Sequence, residues 1–279
     1  MKIYKRILFL VLFIIFTYRS ILSCEAESNS ESIPIRLKMN EYYVLYTNPI
    51  APYINSQNNM MVPLNTFCEL LGAQITYANK NKSIKVCFAK HYVQFIPGSK
   101  IAIVDGEKRI LKSNPIVQNN AVIIPVYILV NSFKIKNNWD QKEHLLTLTD
   151  RRIIKPLVIG DFETSRHDYF VYDAFNLSSY KIKKINNISS QLEITAKNIL
   201  GVDIPAENED IHPVYIYKNA VSWEPISRPQ RPRPAVKKDA TIKIADGNYM
   251  TLKDLKYIVV VARVWNGKFG EKPWYPGTR

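Results

Sequence analysis

The sequence predicts an α+β fold that is mostly β: a tandem module of β-hairpins and short helices, followed by an antiparallel β-sandwich. Three observations predict it. Prolines Pro63 and Pro125, each closing an apolar strand-like run and opening a helical one, stand 62 positions apart, and the residues around them match at that offset. The chain after about residue 150 has β-branched and aromatic runs without helical period, separated by Asn, Ser, Pro and Gly. Hydrophobic residues make up 47% of 279, enough for a sizeable core and too many for wholesale disorder.

The first 24 residues read as a signal peptide. Lys2, Lys5 and Arg6 form a basic start, and Ile7 to Phe16 is an apolar run of signal-peptide length, short for a membrane span. Two processing points follow. Ile21-Leu22-Ser23-Cys24 is similar to a bacterial lipobox, which makes Cys24 a lipidation candidate, whereas Cys24-Glu25-Ala26 suits ordinary signal peptidase. Arg19 fits neither well. Residues 25–33 then form a polar tether, residues 34–150 the repeat module and residues 151–279 the sandwich.

Within the module, Met61-Val62-Pro63-Leu64 aligns with Ile123-Ile124-Pro125-Val126. At the same offset Leu64, Phe67, Cys68 and Leu71 fall on Val126, Leu129, Val130 and Phe133, each set spaced as one apolar stripe of a short helix. Proline suits the first helical turn. Beyond the helices Tyr77 falls on Trp139, Ile84 on Leu146 and Val86 on Leu148, each pair of strands joined by a polar turn. Upstream, Asn58-Asn59 and Asn119-Asn120 mark hairpins, because asparagine tolerates the left-handed backbone. Val104-Asp105-Gly106-Glu107 marks another between the copies. One pairing conflicts: Gly72 is a natural helix C-cap, but its counterpart is Lys134, so the second helix is expected to end differently. Cys68 sits on the buried stripe and Cys87 lies out of phase with Ile84, Val86 and Phe88, so two packed thiols are expected rather than a disulfide.

These residues resemble a known family. Asn58-Asn59-Met60-Met61-Val62-Pro63-Leu64, then Leu70-Leu71-Gly72-Ala73 and Tyr77, and later Pro97-Gly98-Ser99-Lys100-Ile101-Ala102-Ile103-Val104-Asp105-Gly106 with Leu111 and Pro115, are similar to copper amine oxidase N-terminal-like domains. The resemblance covers about Ile35 to Asp150. It departs where the family often has Gly-Arg-Thr before Met-Val-Pro-Leu. It implies a surface-exposed, stalk-like module, common in bacterial exported and wall-associated proteins. The oxidase chemistry of such proteins lies in a separate domain with a tyrosine-derived quinone and three histidines around copper. The chain has only His91, His144, His167 and His212, Asn248-Tyr249 is not followed by an acid, and the remaining residues are too few for that domain.

In the second half the strand-like runs are Tyr169 to Ala174, Ile182 to Ile188, Leu192 to Ala196, Val214 to Tyr217 and Tyr257 to Val264. Asn176-Leu177-Ser178-Ser179 and Ile182-Lys183-Lys184-Ile185, with Asn198 and Gly201, weakly resemble immunoglobulin-like modules of bacterial surface proteins. Alternating prolines in Ser227-Arg228-Pro229-Gln230-Arg231-Pro232-Arg233-Pro234 favour an extended polyproline II segment. Arg228, Arg231 and Arg233, with Lys237 and Lys238, are therefore polyanion-binding candidates; the bland alternative is a solvated loop joining strands. Trp265, Phe269, Trp274 and Tyr275 cluster near the end. Trp265, Trp274 and Tyr275 are candidates for stacking on sugars, or simply pack into the sandwich.

Formal net charge is +14. Such a field attracts polyanions, or it is a diffuse lysine excess with no partner at all. No phosphate-binding Gly loop, Gly-x-Ser-x-Gly or His-Glu-x-x-His is present. Adjacent His167 and Asp168, near Ser165, point in opposite directions on an extended segment and do not form a triad. Glu207, Glu209 and Asp210 read as a solvated turn. The expectation is an exported, non-enzymatic cell-surface protein, needing no cofactor or metal, that scaffolds or binds at the envelope. The expected partners are an anionic cell-wall polymer or another envelope protein. The export signal argues against nucleic acid, and membrane contact is expected only through the leader or a lipid anchor. The alternative is an exported hydrolase of envelope polymers, recognisable by a cleft with converging carboxylates.

Overall fold

The computed structural model describes residues 35–47, 50–78, 82–153, 170–186, 190–218, 221–222, 232–248, 252 and 254–265. A hairpin, β1 (Arg36–Met39) and β2 (Tyr42–Thr47), precedes the repeats. The first copy runs β3 (Tyr53–Ile54), β4 (Met60–Pro63), α1 (Leu64–Leu71), β5 (Gln74–Ala78), β6 (Ser83–Phe88). Three strands follow it: β7 (His91–Phe95), β8 (Ile101–Val104) and β9 (Glu107–Ile110). The second copy runs β10 (Ile116–Gln118), β11 (Ala121–Pro125), α2 (Val126–Ser132), β12 (Lys136–Asp140), β13 (Leu145–Thr149). The order strand, strand, helix, strand, strand thus occurs twice, as the offset of the prolines predicts.

The two copies meet through their equivalent strands. β4 and β11 pair antiparallel with Val62 opposite Ile124, and these two residues are themselves equivalents in the repeat. The copies are therefore related by a local pseudo-two-fold axis through that pair. The helical stripes are buried: Leu64, Phe67, Cys68 and Leu71 on α1, and Val126, Leu129 and Val130 on α2 with Phe133 just beyond it. Pro63 and Pro125 stand immediately before the helices with extended backbone. Asn119 and Asn120 both have positive φ in the two-residue turn of β10–β11, and Asp105 and Gly106 do the same between β8 and β9.

The helix ends correct one expectation. In the first copy the Gly72 N–H donates to Glu69 and the Ala73 N–H to Cys68. In the second the Lys134 N–H donates to Asn131 and the Ile135 N–H to Val130, the same pair of bonds at the same offset. Lys134 takes the left-handed conformation, φ 54°, that Gly72 takes at φ 72°. The closing hydrogen bonds and the burial of Ile135 hold a lysine where glycine is easier. The guanidinium of Arg152 adds to this end, donating to the Phe133 carbonyl at 2.8 Å. Cys68 and Cys87 are unbonded thiols, and burial pushes the Cys68 thiol up to about 12.

The second half contributes β14 (Phe170–Val171), β15 (Phe175–Lys184), β16 (Ser190–Asn198), β17 (Glu209–Tyr217), β18 (Val221–Ser222), β19 (Thr241–Asn248) and β20 (Leu255–Trp265). Strands β15, β16 and β19 form a three-stranded antiparallel sheet. The remaining strands join the module: one sheet runs β12-β13-β1-β2-β20-β17-β18, with β14 also on β20. β20 pairs antiparallel with β2 on one side and with β17 on the other.

Strands β17 and β20 of this sheet are buried on both faces. Tyr257, Val259 and Val261 of β20, with Val44 and Ile216, pack into the core that holds the two helices. Ile258, Val260, Ala262 and Val264, with Tyr43, Leu45 and Tyr215, pack against Leu177, Leu192, Ile194 and Ala196 of the three-stranded sheet. The mostly apolar run of β20 is what a strand covered on both faces requires. The mostly β reading with an antiparallel sandwich holds, and the sandwich takes one of its strands from the N-terminal hairpin. β19 was not among the runs read as strands, and β17 begins at Glu209 rather than Val214.

Candidate functional site

Buried charge is concentrated where β17 meets β20. Glu209 and Asp210 are buried in β17, not solvated in a turn, which corrects the reading of this acidic stretch. Asp210 is compensated by the cations it meets, and the Glu209 carboxylate accepts the Ile211 N–H. Arg263 Nε donates to Asp210 Oδ2 at 2.7 Å, and Arg233 Nη1 lies 3.6 Å from Asp210 Oδ1. Burial alone would raise the Asp210 carboxyl; the charges of Arg263, His212 and Arg233 outweigh it and hold the carboxyl below the ordinary range. The Arg263 guanidinium also lies 3.4 Å over the ring centroid of Phe170.

Arg233 was expected to face a polyanion. It is instead 2% exposed, and it donates to the Glu209 carbonyl as well as facing Asp210. A guanidinium so enclosed is part of the sandwich and cannot reach a soluble polymer. Lys237 and Lys238 do stand at the surface: the Lys237 ammonium is 2.8 Å from Asp203, and the Lys238 N–H donates to the same carboxylate. Trp265 is half-buried, its ring edge-on to Phe170 at 5.1 Å, the packed arrangement rather than an open stacking platform. Cys24, Arg228, Arg231, Trp274, Tyr275, and the pair His167 and Asp168 lie outside the described residues.

A third buried cation closes the module. Arg36 of β1, 1% exposed, donates to the carboxylate and carbonyl of Glu143 in the turn between β12 and β13. Asn176 of β15 donates to the same carboxylate at 3.4 Å, and Tyr43 donates to Asn176. At the other side, Glu69 of α1 pairs with Lys256 and accepts a hydrogen bond from the Tyr257 hydroxyl at 3.2 Å, both on β20. Burial first, then the Glu69 charge, raises the Tyr257 phenol.

A cleft of about 270 Å³ lies between the segment from Pro232 to Val236 and β19, lined by Pro232, Pro234, Ile242 and Ile244 with Glu209. Glu209 is the one carboxylate among its described lining residues, and its Oε1 accepts the Ile211 N–H at 2.6 Å. Two carboxylates facing each other across a gap, the arrangement for glycoside hydrolysis, are not gathered there among the described residues. Nor do three or more His, Cys, Asp or Glu side chains gather as a metal site among them.

The three-stranded sheet presents a different surface. Its inner face carries Leu192, Ile194 and Ile244, so strand alternation turns Lys181 and Lys183 of β15, Glu193 and Lys197 of β16 and Lys243 of β19 outward. The alternation of lysine with apolar residues in Ile182-Lys183 and Ile242-Lys243-Ile244 signals this face in the sequence. It was missed because β19 was not recognised, and the arginines near Pro232 drew the reading instead.

Residues 38–148 match the family model of the copper amine oxidase N-terminal domain. That span is under half of the chain. The matched span begins within β1, stops within β13 and is mostly β with two short helices. No curated protein matches the chain. The domain's last sheet is not closed within the match: β1 and β2 carry it on to β20 and β17 of the second half.

Proposed function

We propose that this chain is an exported, non-catalytic surface protein in which the copper amine oxidase N-terminal domain serves as a rigid mount for the second-half sandwich, and that it docks electrostatically to an anionic polymer of the cell envelope. The observation that carries this reading is where the charge goes. The buried cations are matched inside: Arg36 by Glu143, and Arg263 and Arg233 by Asp210. Formal net charge over the full sequence is +14, four of it from Lys2, Lys5, Arg6 and Arg19 of the leader, and among the described residues Lys181, Lys183, Lys197 and Lys243 are exposed, where such charges set a long-range field. The leader read from the first residues supports export, which puts that field against envelope polymers rather than nucleic acid.

The test is co-sedimentation of the purified full chain with cell-wall sacculi across a salt series. Retention at low salt, lost as salt screens the field, with the sacculi chemically unchanged, is the expected result. Release of soluble wall fragments would replace the binding reading with a hydrolase.

A further inference from the structure

We propose that the outer face of the three-stranded sheet is the docking surface, and that its ligand is a linear phosphodiester polymer of the cell wall. The inference rests on the envelope-binding reading and adds the surface and the chemistry to it. Lys181, Lys183, Lys197 and Lys243 stand on one face, with Glu193 as the one acid among them, held by Lys183 at 2.5 Å. Along a strand such side chains repeat every ~7 Å, and neighbouring strands are about 4.8 Å apart. The lysines thus stand on three neighbouring strands and are spread over the sheet face, which suits a chain bearing one negative charge per repeat and not a single compact anion.

What else the face carries selects among polyanions. Among the described residues no aromatic side chain lies between the lysines, so bases of a single-stranded nucleic acid find nothing there to stack on. No large apolar side chain stands among them either: Ile185 and Ile199 are exposed, but each follows the end of its strand. A membrane-bound face inserts apolar groups between headgroups, and among the described residues the exposed isoleucines stand only at opposite ends of this face and not between the lysines. Lysine, a hydrated point charge on a flexible stem, follows a mobile phosphate chain without demanding a fixed geometry.

Two triple variants of the full chain separate the face from the general field. One is Lys181→Glu, Lys197→Glu and Lys243→Glu. The other is Lys108→Glu, Lys112→Glu and Lys136→Glu, which changes net charge equally on exposed positions of the module. Both are compared with the unaltered chain on sacculi carrying their phosphodiester polymer, on the same sacculi stripped of it, and on phosphatidylglycerol vesicles. The expected result is retention on unstripped sacculi only, reduced about tenfold or more by the sheet variant and much less by the module variant. Equal loss in both variants would overturn the docking face while leaving electrostatic envelope binding intact. So would no loss in either; the lysines then only guard the sheet edges β15 and β19. Binding of the unaltered chain to stripped sacculi or vesicles as strongly as to intact sacculi would overturn the phosphodiester ligand. No retention on any preparation would overturn the envelope-binding reading itself. Circular dichroism of the sheet variant confirms that its fold is kept, as expected for exposed positions.

Discussion

A β-carbon in the left-handed region costs ~1 kcal/mol, and Lys134 carries one where its repeat partner is Gly72. Lys134→Gly should therefore stabilise the chain by about 1 kcal/mol, read as a higher midpoint in chemical denaturation with unchanged slope. The reverse exchange, Gly72→Lys, should cost a similar amount. Asp210 acts through charge. Replacing it by alanine leaves Arg263 and Arg233 buried without their acid, and about 3–5 kcal/mol of stability should go with it. Its carboxyl is depressed in the folded chain, so the stabilisation is fully present above the unfolded value of ~3.9 and is lost as pH falls through the folded value. Acid titration of stability should show a decline beginning near pH 4, and Asp210→Asn should flatten that part of the curve. Asp150, held down chiefly by its hydrogen bond to Arg152, adds to the same decline.

Among the elements, the helices and hairpins of the repeat were legible because each depends on local signals. Proline followed by a 3.6-residue apolar stripe specifies α1 and α2, and Asn119-Asn120 or Asp105-Gly106 specifies a two-residue turn. β17 was legible only from Val214 onward. Its first half, Glu209-Asp210-Ile211-His212-Pro213, has the composition of a loop, and it is a strand through its pairing with β20, with Arg233 and Arg263 compensating Asp210. No local pattern reports a partner at that distance. β1 and β2 were not among the runs read as strands although Tyr42–Thr47 is rich in β-favouring residues, and their role as a bridge to β20 is a matter of tertiary pairing alone. The lysine face failed for a related reason: it is distributed over three strands, whereas the arginines near Pro232 are adjacent in sequence. β20 itself gives an element-level prediction. Val259 and Val260 point to opposite cores and are both buried, so Val259→Ala and Val260→Ala should each cost about 2 kcal/mol. A solvated edge strand would instead show a loss on one face only, and equilibrium denaturation of the two variants distinguishes the cases.

For the molecule as a whole, the pairing of β2 with β20 decides how the chain unfolds. The span that matches the copper amine oxidase N-terminal domain ends within β13, yet the sheet containing β13 continues through β1 and β2 into strands more than 100 residues later. Tyr257, Val259 and Val261 of β20 complete the apolar core that α1 and α2 share, and Lys256 and Tyr257 hold Glu69 of α1. Loss of the second half would bare the β2 edge and the face of that core together. The two halves should therefore melt as one unit: calorimetry is expected to give a single transition, and the most protected amides in hydrogen exchange should include both β11 and β20. A chain ending at residue 150 should be aggregation-prone, because β2 would then be an open edge with buried residues on both faces. Two separate transitions, or a well-folded soluble fragment 34–150, would show that the module holds its core without β20. The second half would then be an attachment to it and not its closing wall.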